Sequence, residues 1–298
     1  MSTRRQLKAL AAARRGVIVP GAFNALSARV IADAGFEAIY VTGAGVTNMW
    51  FGMPDQGFMG LAEIADHTAR IRDAVELPLI VDADTGFGNA LNVHHTVRTL
   101  ERAGADCIQL EDQVAPKRCG HFAGKDVIAL DEAVDKIKAA VDARRDPDLL
   151  IMARTDAAAT QGFDAAVERA QHFAEAGADI LFVEAVTTAD EVRALPRRLA
   201  TPQLINLVIG GKTPIAGAEE LKDLGYGFVL YANAALQGAV AGMQRVLGAL
   251  QQAGRLDEDP MLVVPFAERQ RLVDKARWDA LEARYARQAD AKKPGGGA

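Results

Sequence analysis

Thr99–Leu110 reads TLERAGADCIQL: a helical stretch, a glycine, then an unbroken apolar run. The same phrase returns as VIADAGFEAIYV at 30–41, HFAEAGADILFV at 172–183 and ELKDLGYGFVLY at 220–231. Glycine directly after a helix suits the left-handed conformation of the C′ position, so each phrase is one helix feeding one strand. Runs of this kind occur eight times: GVIVP (16–20), AIYVT (38–42), LIVDAD (79–84), CIQLED (107–112), LLIMAR (149–154), ILFVEA (180–185), QLINLV (203–208) and FVLYA (228–232). Parallel strands buried on both faces require such near-continuous apolar runs, rather than alternating ones. Eight strand–helix units in one chain of 298 residues predict an α/β fold of the (β/α)8, TIM-barrel type. A doubly wound open sheet is the weaker alternative, since no GxGxxG opens the first helix.

The barrel is expected to span residues 1–250, including an amphipathic N-terminal helix in MSTRRQLKALAAARRG. That segment lacks the apolar core of a signal peptide, and no run reaches the ~18–20 apolar residues of a membrane-spanning helix. Residues 251–290 hold no ninth strand; Pro260 and Pro265 interrupt them, and Phe266–Gln288 reads as one helix with Leu272, Val273, Ala276, Trp278 and Leu281 at its apolar positions. A helix beyond a complete barrel needs a surface to bury against, which predicts an oligomer contact. The tail AKKPGGGA (291–298) is expected to be disordered. Half of the residues are hydrophobic, enough for a sizeable core, while a net charge of −5 and a pI near 5.6 argue against nucleic acid or an anionic membrane as partner. Two cysteines make no disulfide framework, and Cys107 lies in an apolar run, so a reduced, cytoplasmic chain is expected.

Polar residues gather where strands end: Asp82 and Asp84, Glu111 and Asp112, Arg154 and Asp156, Glu184, Asn206. A barrel of this kind builds its active site at those ends. One such acidic residue can simply cap the following helix, but the third to seventh strands all carry polar groups at the same end. Asp82 and Asp84, two apart in VDADTGFGN, point the same way on an extended strand end and suit a hard divalent cation, with Glu111 as a further oxygen ligand and Asp55 of GMPDQGF approaching from a loop. Turn-forming aspartates are the bland reading of that pair. Arg154 can fork onto a substrate carboxylate or pair with Glu184 on the next strand end. PKRCGHFAGK (116–125) surrounds Cys119 with Lys117, Arg118 and His121. An electropositive setting stabilises a thiolate, which suits a general acid or a nucleophile better than an ordinary loop cysteine. His94 and His95 are expected on an exposed helix face without a role.

DADTGFGN, LEDQ and KRCGH together resemble the isocitrate lyase/phosphoenolpyruvate mutase superfamily, and the likeness runs from GAFNALSA (21–28) to LYANAALQGA (230–239). KRCGH is similar to the branch that cleaves carbon–carbon bonds, which includes isocitrate, 2-methylisocitrate and 2,3-dimethylmalate lyases. The resemblance implies Mg2+, with Mn2+ as a substitute, near Asp82, Asp84, Glu111 and Asp55. It implies Cys119 as general acid, with Lys117, Gly120 and His121 beside it. Thr42, Gly43 and Ala44 would hold the 2-oxo acid portion, and Arg154, Glu184, Asn206 and Thr213 would line the rest of the pocket. The base is open; Tyr40 is the candidate, and its phenol would need activation from a pKa near ~10. A homotetramer with swapped C-terminal helices is also implied, which would occupy the surplus helix.

The implied reaction is retro-aldol cleavage of a 2-hydroxy di- or tricarboxylic acid to pyruvate or glyoxylate and a second carboxylic acid. Two departures bear on the substrate. Ile209 in NLVIGGKTP stands where relatives carry Glu, and Gln109 replaces a His common in methylisocitrate lyases. A less acidic pocket points to a 2-alkylmalate or related acid. Competing expectations are phosphonomutase chemistry of the carboxyphosphonoenolpyruvate type, oxaloacetate decarboxylation, and a catalytically silent barrel that binds an oxo acid.

Overall fold

The computed structural model describes residues 1–117, 126–211, 213–214 and 217–291. Arg118–Lys125, which include Cys119, Gly120 and His121, lie outside the described residues, as does the tail beyond Ala291. The chain forms two compact units, one ending at Gln237 and one starting at Gly238.

The first unit holds eight strands, all paired in parallel: β1 Val17–Ala22, β2 Ile39–Val41, β3 Leu79–Asp82, β4 Cys107–Glu111, β5 Leu150–Thr155, β6 Ile180–Val183, β7 Leu204–Asn206 and β8 Phe228–Tyr231. Each falls within a residue or two of the run that predicts it. Their order, β6-β5-β4-β3-β2-β1-β8-β7, brings β1 beside β8. Leu181 N–H donates to Pro202 O at 2.9 Å across the remaining gap, next to a single Leu181–Gln203 bridge, so the barrel is nearly closed. The β1–β8 seam depends on Gly21: a Cβ there would lie 1.9 Å from the carbonyl oxygen of Ala232.

Burial follows the period of two. One core cluster lies between strands and helices. The other takes alternate strand residues, Ala38 and Tyr40, Ile80, Cys107, Leu150 and Met152, Ile180 and Phe182, Leu204, and joins them to Leu7, Leu10 and Ala11 of the helix Thr3–Ala13. That N-terminal helix therefore plugs the barrel. Thr3 Oγ1 donates to Asp106 at 2.6 Å and Arg4 pairs with Asp146 at 2.8 Å, so the plug sits at the N-terminal strand ends.

Continuing each interior row by two residues toward the C-terminal end changes its chemistry: Ile80 leads to Asp82 and Asp84, Cys107 to Gln109 and Glu111, Met152 to Arg154, Phe182 to Glu184, Leu204 to Asn206, Tyr40 to Thr42. Because side chains at i and i+2 share a face, the rows that are apolar below are polar above. Cys107 is fully buried, and His94 and His95 are exposed, as expected.

In the second unit the expected helix Phe266–Gln288 is two helices, Phe266–Leu272 and Lys275–Ala291. Asp274 at φ 56° breaks them. Aspartate tolerates the left-handed region, and a smooth apolar period does not reveal such a break. No helix among the described residues is long and apolar enough to cross a membrane.

Candidate active site

The end of β3 gathers carboxylates around backbone. Asp82 Oδ1 accepts from the Asp84 N–H and from Gln109 Nε2, both at 3.1 Å, while its Oδ2 faces the Gly43 N–H at 3.4 Å. Asp84 sits at φ 48° in the turn that follows. A Cβ at Gly43 would lie 3.1 Å from Asp82 Oδ2 and 3.3 Å from Asp84 Oδ1, so both carboxylates converge where residue 43 has no side chain. Thr42 caps the short helix Gly43–Val46, its Oγ1 accepting from the Gly45 N–H at 3.2 Å. Lys117 reaches in from beyond β4, with Nζ 2.6 Å from Asp55 and 2.7 Å from Asp84.

The electrostatics leave this half short of positive charge. Burial pushes the Asp84 carboxyl up to about 7 despite Lys117, with Asp82 and Asp55 adding to the rise. Burial also holds Glu111 well above the usual carboxylate range, only partly offset by Arg154 and Lys117. Burial works against the charge of Lys117, but Asp84, Asp82, Glu111 and Asp55 outweigh it and raise its pKa. Glu111 Oε1 is buried without a hydrogen-bond partner among the described residues. Asp84 Oδ1 pairs with Lys117 Nζ at 2.7 Å. Such oxygens suit a hard cation. Among the described residues no three His, Cys, Asp or Glu stand close enough to chelate one directly. An ion held by one or two carboxylates, with water at its other positions, would fit Asp82 and Asp84.

The other half is built on Arg154, the residue paired with Glu111 in the β4–β5 register. Its Nε and Nη2 fork onto Asp156 at 2.9 and 3.1 Å; Glu111 lies 3.3 Å away and Glu184 3.9 Å. The guanidinium also lies over the Phe182 ring, 5.2 Å from its centroid. Burial opposes its charge, but Asp156, Glu111 and Glu184 more than compensate. Asn206 Nδ2 donates to Glu184 at 3.3 Å, and Asn206 Oδ1 is buried without a partner among the described residues.

Tyr40, Thr42, Gly43, Asp55, Asp82, Asp84, Glu111, Lys117, Arg154, Glu184 and Asn206 are thus linked through contacts at one end of the barrel. Ala44 lies in the helix Gly43–Val46, and Thr213 is buried beyond β7. Ile209 is half exposed in the turn beyond β7.

A family model for phosphoenolpyruvate phosphomutase matches residues 7–251. The chain is 41% identical to the 2,3-dimethylmalate lyase of Eubacterium barkeri, over 96% of this chain and 99% of that one. It is 46% identical to the 2-methylisocitrate lyase of Aeropyrum pernix, over 83% and 80%. The crystal structure of 2,3-dimethylmalate lyase, a PEP mutase/isocitrate lyase superfamily member, superposes with a TM-score of 0.90 at 34% identity, covering 96% of each chain. This chain belongs to the PEP mutase/isocitrate lyase superfamily. Its named relatives place it among the carbon–carbon lyases of that superfamily. Another superfamily structure that it resembles, phosphonopyruvate hydrolase with oxalate and Mg++, has a TM-score of 0.86 at 30% identity, covering 96% of this chain and all of that one.

The geometry gives partners to two further residues of this superfamily site. The hydroxyl of Tyr40, the candidate base, donates to Gln109 Oε1 at 2.8 Å, and burial together with the Asp82 charge pushes its pKa well up. Lys117 pairs with Asp55 and Asp84; the thiol of Cys119, beside which it is expected, lies outside the described residues. Two residues noted in the sequence without a role gain partners here. Gln109 joins Tyr40 to Asp82, and Asp156 holds Arg154. Both carry one available signal, a position two residues from a site residue on the same strand face.

Proposed function

We propose that this chain is a Mg2+-dependent lyase that cleaves a 2-alkylmalate or a related 2-hydroxy acid to pyruvate, or glyoxylate, and a second carboxylic acid. One observation carries the reading: a buried carboxylate cluster short of positive charge adjoins a guanidinium fixed by acidic neighbours, within one barrel mouth. When bound there through Asp82 and Asp84, with Glu111 and Asp55 around it, Mg2+ would polarise the substrate oxygens and stabilise negative charge on them. Mn2+ is the expected substitute.

The chain's own residues do the rest. The backbone at Thr42, Gly43 and Ala44 holds the 2-oxo acid portion, and Arg154 takes the distal carboxylate. Removal of the 2-hydroxyl proton lets the C2–C3 bond break, with its electron pair passing to C3. Cys119 then gives its proton to that carbon. Tyr40 orients Gln109, and through it Asp82, rather than taking the proton. Ile209 at the rim supports a smaller, less polar acid than 2-methylisocitrate. The chain is expected to act as a cytoplasmic homotetramer.

The test is pyruvate release from 2,3-dimethylmalate, 2-ethyl-3-methylmalate, citramalate, 2-methylisocitrate and oxaloacetate, with and without EDTA. Turnover of one hydroxy acid that EDTA abolishes supports the reading. Silence on every hydroxy acid sinks it. Cys119→Ser is expected to lose cleavage while oxalate still binds with Mg2+.

A further inference from the structure

Asp112 and Arg169 lie outside the barrel interior, yet the Asp112 carboxylate binds the stretch of chain that holds Arg154. Asp112 follows Glu111, so strand alternation turns it away from the site and toward the helix Phe163–Glu175. It is buried, and its acceptors are spent on one short piece of chain: Oδ2 receives the Thr155 hydroxyl at 2.6 Å and Oδ1 the Asp156 N–H at 2.9 Å. Arg169, also buried, brings Nη1 within 3.4 Å of the same carboxylate and donates through Nη2 to Ile128 O at 2.8 Å. Asp156, whose backbone is pinned in this way, is the residue that forks onto Arg154.

We propose that Asp112 and Arg169 are positioning residues that set the aim of Arg154. The proposal rests on the reading of Arg154 as the group that takes the distal carboxylate. Arg154 has three acidic neighbours, Asp156, Glu111 and Glu184, so its direction is decided by whichever of them is held most firmly. Asp112 supplies that firmness by tying the end of β5 to the end of β4. A buried ion pair is a poor way to stabilise a fold, because apolar residues of the same volume do as well or better. What the pair holds is the side chain of Thr155 and the backbone of Asp156 at the end of β5, so it has its use in what it orients.

The experiment compares two constants in the Mg2+-loaded enzyme: KM for the hydroxy acid that is cleaved, and the inhibition constant of oxalate, which lacks a distal carboxylate. Asp112→Asn and Arg169→Gln are expected to raise KM about tenfold or more while oxalate inhibition stays within about twofold. Arg169→Lys, which restores the charge beside Asp112, recovers part of the loss. Where Asp112→Asn does not fold, Thr155→Val carries the same expectation and Thr155→Ser keeps the wild-type value. An unchanged KM in folded variants overturns the proposal, and so does a parallel loss of oxalate inhibition, which would mark a general disturbance of the site. Arg154→Met separates the two levels. If it leaves KM unaltered, the reading of Arg154 fails and the positioning role falls with it; if it raises KM and the Asp112 and Arg169 variants do not, the positioning role alone is wrong.

Discussion

Gly43 shows how little room the acidic half leaves. A methyl group there would press on Asp82 Oδ2 at 3.1 Å and Asp84 Oδ1 at 3.3 Å. Gly43→Ala is therefore expected to displace one carboxylate, weakening Mg2+ by about 1–3 kcal/mol, the usual cost of overpacking. Calorimetric titration with Mg2+, beside a melting curve that moves little, checks this. Tyr40→Phe tests the hydroxyl that Gln109 receives. Losing one buried hydrogen bond costs about 1–3 kcal/mol, so kcat should fall modestly; a collapse of kcat by many orders would reinstate Tyr40 as the base.

At the scale of elements, the helix Leu61–Ala74 meets the π-helix Thr47–Phe51 through His67 and Trp50, whose ring centroids are 4.6 Å apart. Burial lowers the His67 pKa from its ordinary 6.5. The unfolded chain then binds a proton more readily than the folded one. Stability is full above 6.5 and falls as the pH drops through 6.5 toward the lower folded pKa. Asp84, raised to about 7, and Asp112, raised to about 6, slope the other way, so the His67 contribution is read as the difference between wild type and His67→Gln in denaturant titrations between neutral pH and about pH 5. The β1–β8 seam makes a second prediction. Gly21→Ala would set a Cβ 1.9 Å from Ala232 O, on backbone that cannot step aside. A loss of more than about 3 kcal/mol is expected, seen as a lowered denaturant midpoint or as insoluble expression.

For the whole molecule, the helix Ala234–Ala253 exposes Val240, Met243, Leu247 and Leu250, a spacing of three and four that forms one stripe. Leu247 is 59% exposed in the single chain, which is costly for a repeated apolar position. The proposed tetramer would cover it. Sedimentation should find an assembly larger than one chain, and Met243→Lys with Leu247→Glu should shift it to smaller species.

The barrel was legible because its signals are local. Apolar runs and the glycine after each helix depend on residues a few positions apart, and TLERAGADCIQL carries both. The site was legible to the same depth: the period of two that buries Ile80, Cys107 and Met152 also lines up Asp82, Gln109 and Arg154. The helix expected over 266–288 failed at Asp274, because one left-handed residue leaves the apolar pattern intact.

The sequence by itself determined the eight-stranded barrel, the end where its polar residues gather and the residue types found there. Only the tertiary structure decided the partners: that Lys117 answers to Asp55 and Asp84, that Gln109 binds both Tyr40 and Asp82, and that Asp156 rather than Glu184 takes the fork of Arg154. Strand periodicity says which face a side chain takes. Ion pairs and hydrogen bonds depend on distances of a few ångströms between strands and loops far apart in the chain, and those distances exist only once the barrel has closed.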